Sequence, residues 1–124
     1  MARQSHTPLT ALGTKPSAYD TANAADLTMT AADAANYEEV AFTGSEIIIA
    51  HNTGGSAQLV TVTSIEDSHG RSDDITEYSV GAGEYAVFGP FDMDGWRQTG
   101  GKLYFQADSS DVKFGVVKIT RLGK

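Results

Sequence analysis

The sequence predicts an all-β protein: a single antiparallel β-sandwich, jelly-roll or immunoglobulin-like, with an extended N-terminal arm. Three observations carry this. Short runs of β-branched and aromatic residues recur from residue 39 to the end. Glycine-containing turns separate them, among them Asn52-Thr53-Gly54-Gly55, Gly81-Ala82-Gly83 and Thr99-Gly100-Gly101. One run, Lys102-Leu103-Tyr104-Phe105-Gln106-Ala107, alternates strictly between apolar and polar, as a half-buried strand must.

Residues 1–38 differ in composition from the rest. They are dominated by Ala, Thr, Ser and Asp, and their large apolar side chains are sparse. The reading is therefore an arm over 1–38 and a β-sandwich domain over 39–124. Thr30-Ala31-Ala32-Asp33-Ala34-Ala35-Asn36 suits one helical turn with Thr30 as its cap. The strand runs that follow are Glu39–Phe42, Ile47–Ala50, Gln58–Thr63, Thr76–Val80, Tyr85–Phe88, Leu103–Gln106 and Val112–Arg121. Ile47-Ile48-Ile49 is apolar on both faces and suits a central strand. In the last run the apolar face moves from positions 112, 114 and 116 to 117 and 119. That slip predicts a β-bulge near Gly115. Pro90 should end the strand before it. The expected core is Phe42, Ile47, Ile49, Val60, Val62, Tyr85, Val87, Leu103, Phe105, Phe114 and Val116.

The chain has 124 residues, one domain by length. It has no cysteine, so disulfides, thiolate metal sites and thiol nucleophiles are excluded. No apolar run approaches a membrane span, and the N-terminus lacks the apolar stretch of a signal peptide; the expectation is a cytoplasmic origin. The net charge of −7 is unevenly spread. Residues 1–19 carry two bases and no acid, 20–94 carry 14 acids and one base, and 95–124 carry six bases and two acids. An acidic middle argues against wrapping nucleic acid, which needs a basic face. The basic ends suit an acidic partner or a neighbouring copy.

The sequence holds little that is equipped for chemistry. His6, His51 and His69 have no metal-ligand spacing. Asp92-Met93-Asp94-Gly95 lacks the third ligand of a calcium loop, and Leu103 stands where its glutamate would be. The polar stretch Glu66–Asp74 brings Ser, His and Asp together, but triads assemble from separate segments. It reads better as a self-paired loop, with Arg71 held by Asp67, Asp73 or Asp74. Gly81-Ala82-Gly83-Glu84 lacks the Lys and Ser/Thr of a phosphate loop. Trp96, the only tryptophan, is a core plug, a sugar-stacking platform or an interface anchor. The sequence implies no enzyme and no cofactor.

Several motifs together carry a family resemblance. They are Met29–Asn36, Ile47-Ile48-Ile49-Ala50-His51-Asn52-Thr53-Gly54, Val60–Ser64, Gly70-Arg71-Ser72-Asp73-Asp74-Ile75-Thr76, Phe88-Gly89-Pro90-Phe91, Gly95-Trp96 and Gly101-Lys102-Leu103. Over about residues 27–121 the chain resembles a group of small proteins of tailed bacteriophages and prophages encoded beside the major capsid protein. The resemblance implies a capsid decoration (cement) protein on the outside of the head, a homotrimer bound to the major capsid protein. It carries no catalytic or binding residues. The alternative is a virion-displayed carbohydrate- or receptor-binding module that uses Trp96 and the 66–74 loop.

An arm of 26–38 residues, at about 3.3 Å per residue, reaches several tens of Å. The expectation is that residues 1–26 lie extended against another chain. Leu9, Leu12 and Tyr19 would anchor them there, and Arg3 and Lys15 would meet acidic groups. Deleting them should then leave the domain folded.

Overall fold

Two five-stranded sheets pack face to face in the computed structural model, which describes residues 2–11 and 25–119. The all-β sandwich predicted from the sequence is the fold found. In chain order the strands are β1 (Gln4–His6), β2 (Leu9–Thr10), β3 (Thr30–Ala31), β4 (Glu38–Ala41) and β5 (Glu46–Asn52). They continue with β6 (Gln58–Thr63), β7 (Ile75–Val80), β8 (Tyr85–Phe88), β9 (Lys102–Ala107) and β10 (Val112–Lys118). A single turn, α1 (Met93–Trp96), precedes β9. The first sheet has the order β1-β4-β9-β6-β7 and the second β2-β10-β5-β8, with β3 also on β10.

Every pairing among β3 to β10 is antiparallel, as hairpin-rich sandwiches require. The arm departs from this. β1 adds to β4 in parallel, and β2 adds to β10 in parallel, so both sheets are mixed. Residues 2–11 therefore lie on their own domain, where the sequence reading placed them on another chain. The reason is that open strand edges satisfy the backbone of an arm that has few apolar side chains of its own.

The core fills the space between the sheets. Val40, Phe42, Val60, Val62, Leu103, Phe105, Phe114 and Val116 are all buried. Phe105 and Phe114 meet edge to face across the two sheets, 4.9 Å between ring centres. The strict alternation of β9 is realised, with Leu103, Phe105 and Ala107 inward.

Four expected core residues are not in the core. In β5 the inward residues are Ile48 and Ala50, while Ile47 and Ile49 lie half-buried on the outer face. In β8, Phe88 is buried, whereas Tyr85 and Val87 are each 64% exposed. Both runs are apolar at consecutive positions, so alternation cannot choose a face. Polar residues misdirect the choice further. Glu46 and Asn52 share the parity of Ile48 and would conventionally be placed outside, yet both are buried at the two ends of β5. Asn52 Nδ2 donates to the carbonyls of Ser56 (2.8 Å) and Val80 (2.9 Å), and its Oδ1 accepts from Gly54 N–H (2.9 Å). Glu46 accepts from Thr43 N–H and hydroxyl and from Ser45 N–H. Burial pushes the Glu46 carboxyl up, but these donors outweigh it and hold the group below its ordinary value.

The bulge expected near Gly115 is also absent. β10 pairs with β5 without interruption from Val112↔Asn52 to Lys118↔Glu46. The register shift lies instead in β6–β7, between Val60 and Val62. The apparent slip has another cause: positions 117 and 119 are apolar on the outer face. Gly115 itself is needed because residues 27–29 cross that face. A Cβ there would sit 2.6 Å from Met29 Sδ and 3.1 Å from both Leu27 methyls. Gly115→Val is expected to destabilise the fold by about 1–3 kcal/mol through overpacking. Adding Met29→Ala should recover part of that loss. A melt in which Gly115→Val loses nothing would show that Leu27 and Met29 do not cover this position.

The segment before β4 also differs from expectation. Thr30 lies in β3, and Asp33 is the capping residue of the turn that follows. Its Oδ1 accepts from the N–H groups of Ala35 (3.2 Å) and Asn36 (3.1 Å). The Asn36 side chain, above all, together with these N–H groups holds the Asp33 carboxyl below its ordinary value.

Candidate functional site

The two outer faces of the sandwich differ in chemistry. That of the first sheet is polar, with Glu39, Lys102, Tyr104, Gln106, Thr61 and Thr63 pointing outward in register. That of the second sheet is apolar. β10, β5 and β8 align Gly115, Ile49 and Val87 in one row, with Val117 and Ile47 in the next. Leu9 of β2 lies beside Val117 and is half-buried. The end of the face is closed by His51 stacked on Tyr85, 3.9 Å between ring centres at 5°.

Strand β8 is an edge of this sheet. Asn52 N–H donates to Glu84 C=O at 2.9 Å, which makes 52/84 a hydrogen-bonded pair. By the alternation of antiparallel ladders, 50/86 and 48/88 follow as the bonded pairs. The backbone polar groups of Tyr85 and Val87 therefore face the open edge, next to their exposed side chains. No charged residue, proline or bulge lies within β8 to blunt that edge. The other sandwich edge on this side, β7, carries Glu77 at φ +49°, a local kink. Tyr78 of β7, 52% exposed, stands edge-on to Phe88 at 5.5 Å and widens the apolar rim.

The arm is anchored by a buried carboxylate that the sequence reading did not single out. Glu38 is fully buried. Its Oε1 accepts from Gln4 Nε2 (2.6 Å) and lies 2.9 Å from His6 Nε2, while Oε2 accepts from Asp33 N–H (2.8 Å). His6 packs against Phe105 and Phe114, at 5.3 and 6.2 Å between ring centres. Arg3 donates to Glu38 C=O (3.1 Å) and lies 3.9 Å over the Tyr104 ring. Arg3 thus serves the arm's own docking, where the sequence reading assigned it to acidic groups of a partner. Leu12, Lys15 and Tyr19 lie outside the described residues.

A second feature joins Trp96 to the polar loop. A cavity of about 250 Å³ is lined by Ser64, Asp67, Arg71, Ser72 and Asp73 on one side and by Asp92, Asp94, Gly95 and Trp96 on the other. Trp96 is half-buried, its ring 4.6 Å from that of Phe91, so it plugs the end of the core and also lines the cavity. The loop is self-paired, as expected, and Asp67 is its hub. Asp67 accepts from the N–H groups of His69 (2.8 Å) and Arg71 (3.0 Å) and from Arg71 Nε (3.1 Å). Chiefly the Arg71 backbone N–H holds the Asp67 carboxyl below its ordinary value. Among the described residues, no group of three or more His, Asp or Glu is placed to hold a metal ion. No described helix is long and apolar enough to cross a membrane.

Comparison with family models, with curated proteins and with solved structures found no match, so the case for a function rests on the residues themselves.

Proposed function

We propose that this chain is a decoration protein of a tailed-phage head. In this reading it sits on the outside of the capsid as a homotrimer, contacts the major capsid protein and catalyses no reaction. The motifs from Met29 to Leu103 that resemble phage head proteins motivate it. The observation that carries it is the unequal chemistry of the two outer faces. Residues 27–29 and Leu9 cover part of the second sheet's outer face, and what stays open is its β8 end, where Val87 and Tyr85 are each 64% exposed next to an unguarded strand edge. Contiguous exposed apolar surface of this kind marks a protein contact. The open edge of β8 offers a partner's extended segment main-chain hydrogen bonds, and Val87 and Tyr85 offer it side-chain contacts. Repetition over a capsid lattice turns modest single contacts into tight binding. The polar face of the first sheet is then the one turned to solvent.

The test is binding to heads that lack the protein. The full chain should co-sediment with such heads at a copy number comparable to that of the capsid subunit, counted by mass spectrometry. A Val87→Lys variant should keep its melting temperature, since that side chain is exposed, and lose at least about tenfold in affinity. Binding by that variant at the level of the parent would overturn the assignment of this face. A count of only a few copies per particle would overturn the decoration reading itself.

A further inference from the structure

We infer that the cavity between the 64–74 loop and the α1 turn is a binding site for a neutral sugar, with Trp96 as its platform. The inference is independent of the decoration reading, because the cavity lies apart from β8 and the apolar face.

The first support is rigidity where none is needed for folding. The loop is polar and exposed, and such loops are ordinarily loose. Here Asp74 Oδ1 accepts from both the N–H (2.8 Å) and the hydroxyl (2.7 Å) of Ser64, and Ser64 Oγ accepts from Asp73 N–H (2.9 Å). The opposite wall is tied to the loop as well. Asp94 accepts from the N–H (2.9 Å) and hydroxyl (2.8 Å) of Ser68, and Ile65 N–H donates to Gly95 C=O (2.8 Å). Gly95 holds φ +104°, which favours glycine, and a Cβ there would reach the Asp67 Cβ at 3.5 Å. The two walls are thus held at a set distance before any ligand arrives, which lowers the cost of binding.

The second support is the division of polar groups. Asp67 and Asp94 spend their oxygens on the loop itself. The carboxylates of Asp73 and Asp92 line the cavity and have no hydrogen-bond partner among the described residues. Arg71, which also lines the cavity, pairs through Nε and Nη2 with Asp67. The space of about 250 Å³ is thus lined by one tryptophan, by Asp73 and Asp92 with unpaired carboxylates, and by Arg71. An indole face stacks on the apolar C–H face of a pyranose ring, and carboxylates accept from vicinal hydroxyls. Charge selects against acidic sugars. The cavity wall holds four aspartates against one arginine, so a sialic acid or a phosphorylated sugar is repelled.

Because Trp96 is the only tryptophan, its fluorescence reports on this site directly. The full chain is titrated with glucose, galactose, mannose and N-acetylglucosamine, with sialic acid and calcium chloride in separate arms. The expected result is a saturable fluorescence change with at least one neutral sugar and none with sialic acid. In an Asp73→Asn, Asp92→Asn variant, whose changes lie on exposed side chains, the affinity should fall about tenfold with the melting temperature unchanged. An Arg71→Ala variant serves as an independent second probe of the same wall. No saturable change with any of the four sugars overturns the inference, as does a response to calcium alone. An equal response in the Asp73/Asp92 variant overturns it too, since the sugar would then bind elsewhere.

Discussion

Glu38→Ala is expected to destabilise the domain by about 3–5 kcal/mol and to release the N-terminal strand. The carboxylate is fully buried and ringed by donors: Gln4 Nε2, Asp33 N–H and the His6 ring. Removing Glu38 leaves these donors without their acceptor inside the fold, which is the costly way to break such contacts. Here the orphans include the part-buried Asp33 backbone N–H. The loss is also structural. Parallel pairing of β1 with β4 spans only Gln4 to His6, too short to hold by backbone bonds alone. Glu38→Gln should fall between parent and alanine variant. Its amide nitrogen would face a donor on one side while its oxygen still accepts on the other. Urea unfolding measures the stability, and hydrogen exchange at residues 4–6 measures the docking. An alanine variant within about 1 kcal/mol of the parent, with amide protection at residues 4–6 unchanged, would show that Glu38 does not anchor the arm.

Asn52→Ala is expected to cost about 2–4 kcal/mol, because it leaves polar backbone groups unpaired in and near the core. The side chain joins two segments: the turn at Gly54 and Ser56, and the end of β7 at Val80. The Val80 carbonyl is the expensive one, since its residue is buried and water cannot replace the lost donor. Ser56 and Gly54 are nearer solvent and recover part of their loss. Asn52→Asp separates hydrogen bonding from packing. It keeps the acceptor for Gly54 but turns both donors into acceptors facing carbonyls, so it should be at least as damaging as alanine. A thermal melt in which Asn52→Asp is as stable as the parent would show that the two Nδ2 contacts do not hold β7 to the turn. This variant also reaches the proposed particle-binding edge. Asn52 N–H pairs with Glu84 C=O at the start of β8, so exchange at residues 85–88 should rise with it.

Legibility followed the local pattern closely. The β9 run alternates without exception, and Leu103, Phe105 and Ala107 all point inward as read. The apolar run Ile47-Ile48-Ile49 identified β5 as central, and it does lie between β10 and β8. The pairing of Arg71 within its own loop was legible because Asp67 stands four residues away. Where a run was apolar at consecutive positions, the pattern was degenerate. Tyr85-Ala86-Val87-Phe88 reads equally well with either face inward, and side-chain size pointed the wrong way. The missed signal was the polar residue bracketing β5 at each end. Glu46 and Asn52 are buried because each has enough hydrogen-bond partners in adjacent turns, and that parity sets the face of the whole strand.

By itself the sequence determined that this protein is an all-β sandwich without cysteine chemistry and which loop is polar and self-paired. These are consequences of composition and of two-residue periodicity, which act within a few residues of chain. The tertiary structure alone decided where the arm lands, which faces of β5 and β8 look outward, and that Trp96 meets the 64–74 loop. Each of those joins groups far apart in sequence, such as Gln4 and Glu38, 34 residues from one another. Local pattern carries no information on such pairings. They are selected when the whole chain competes for open strand edges and buried donors, and only the packed domain holds that competition.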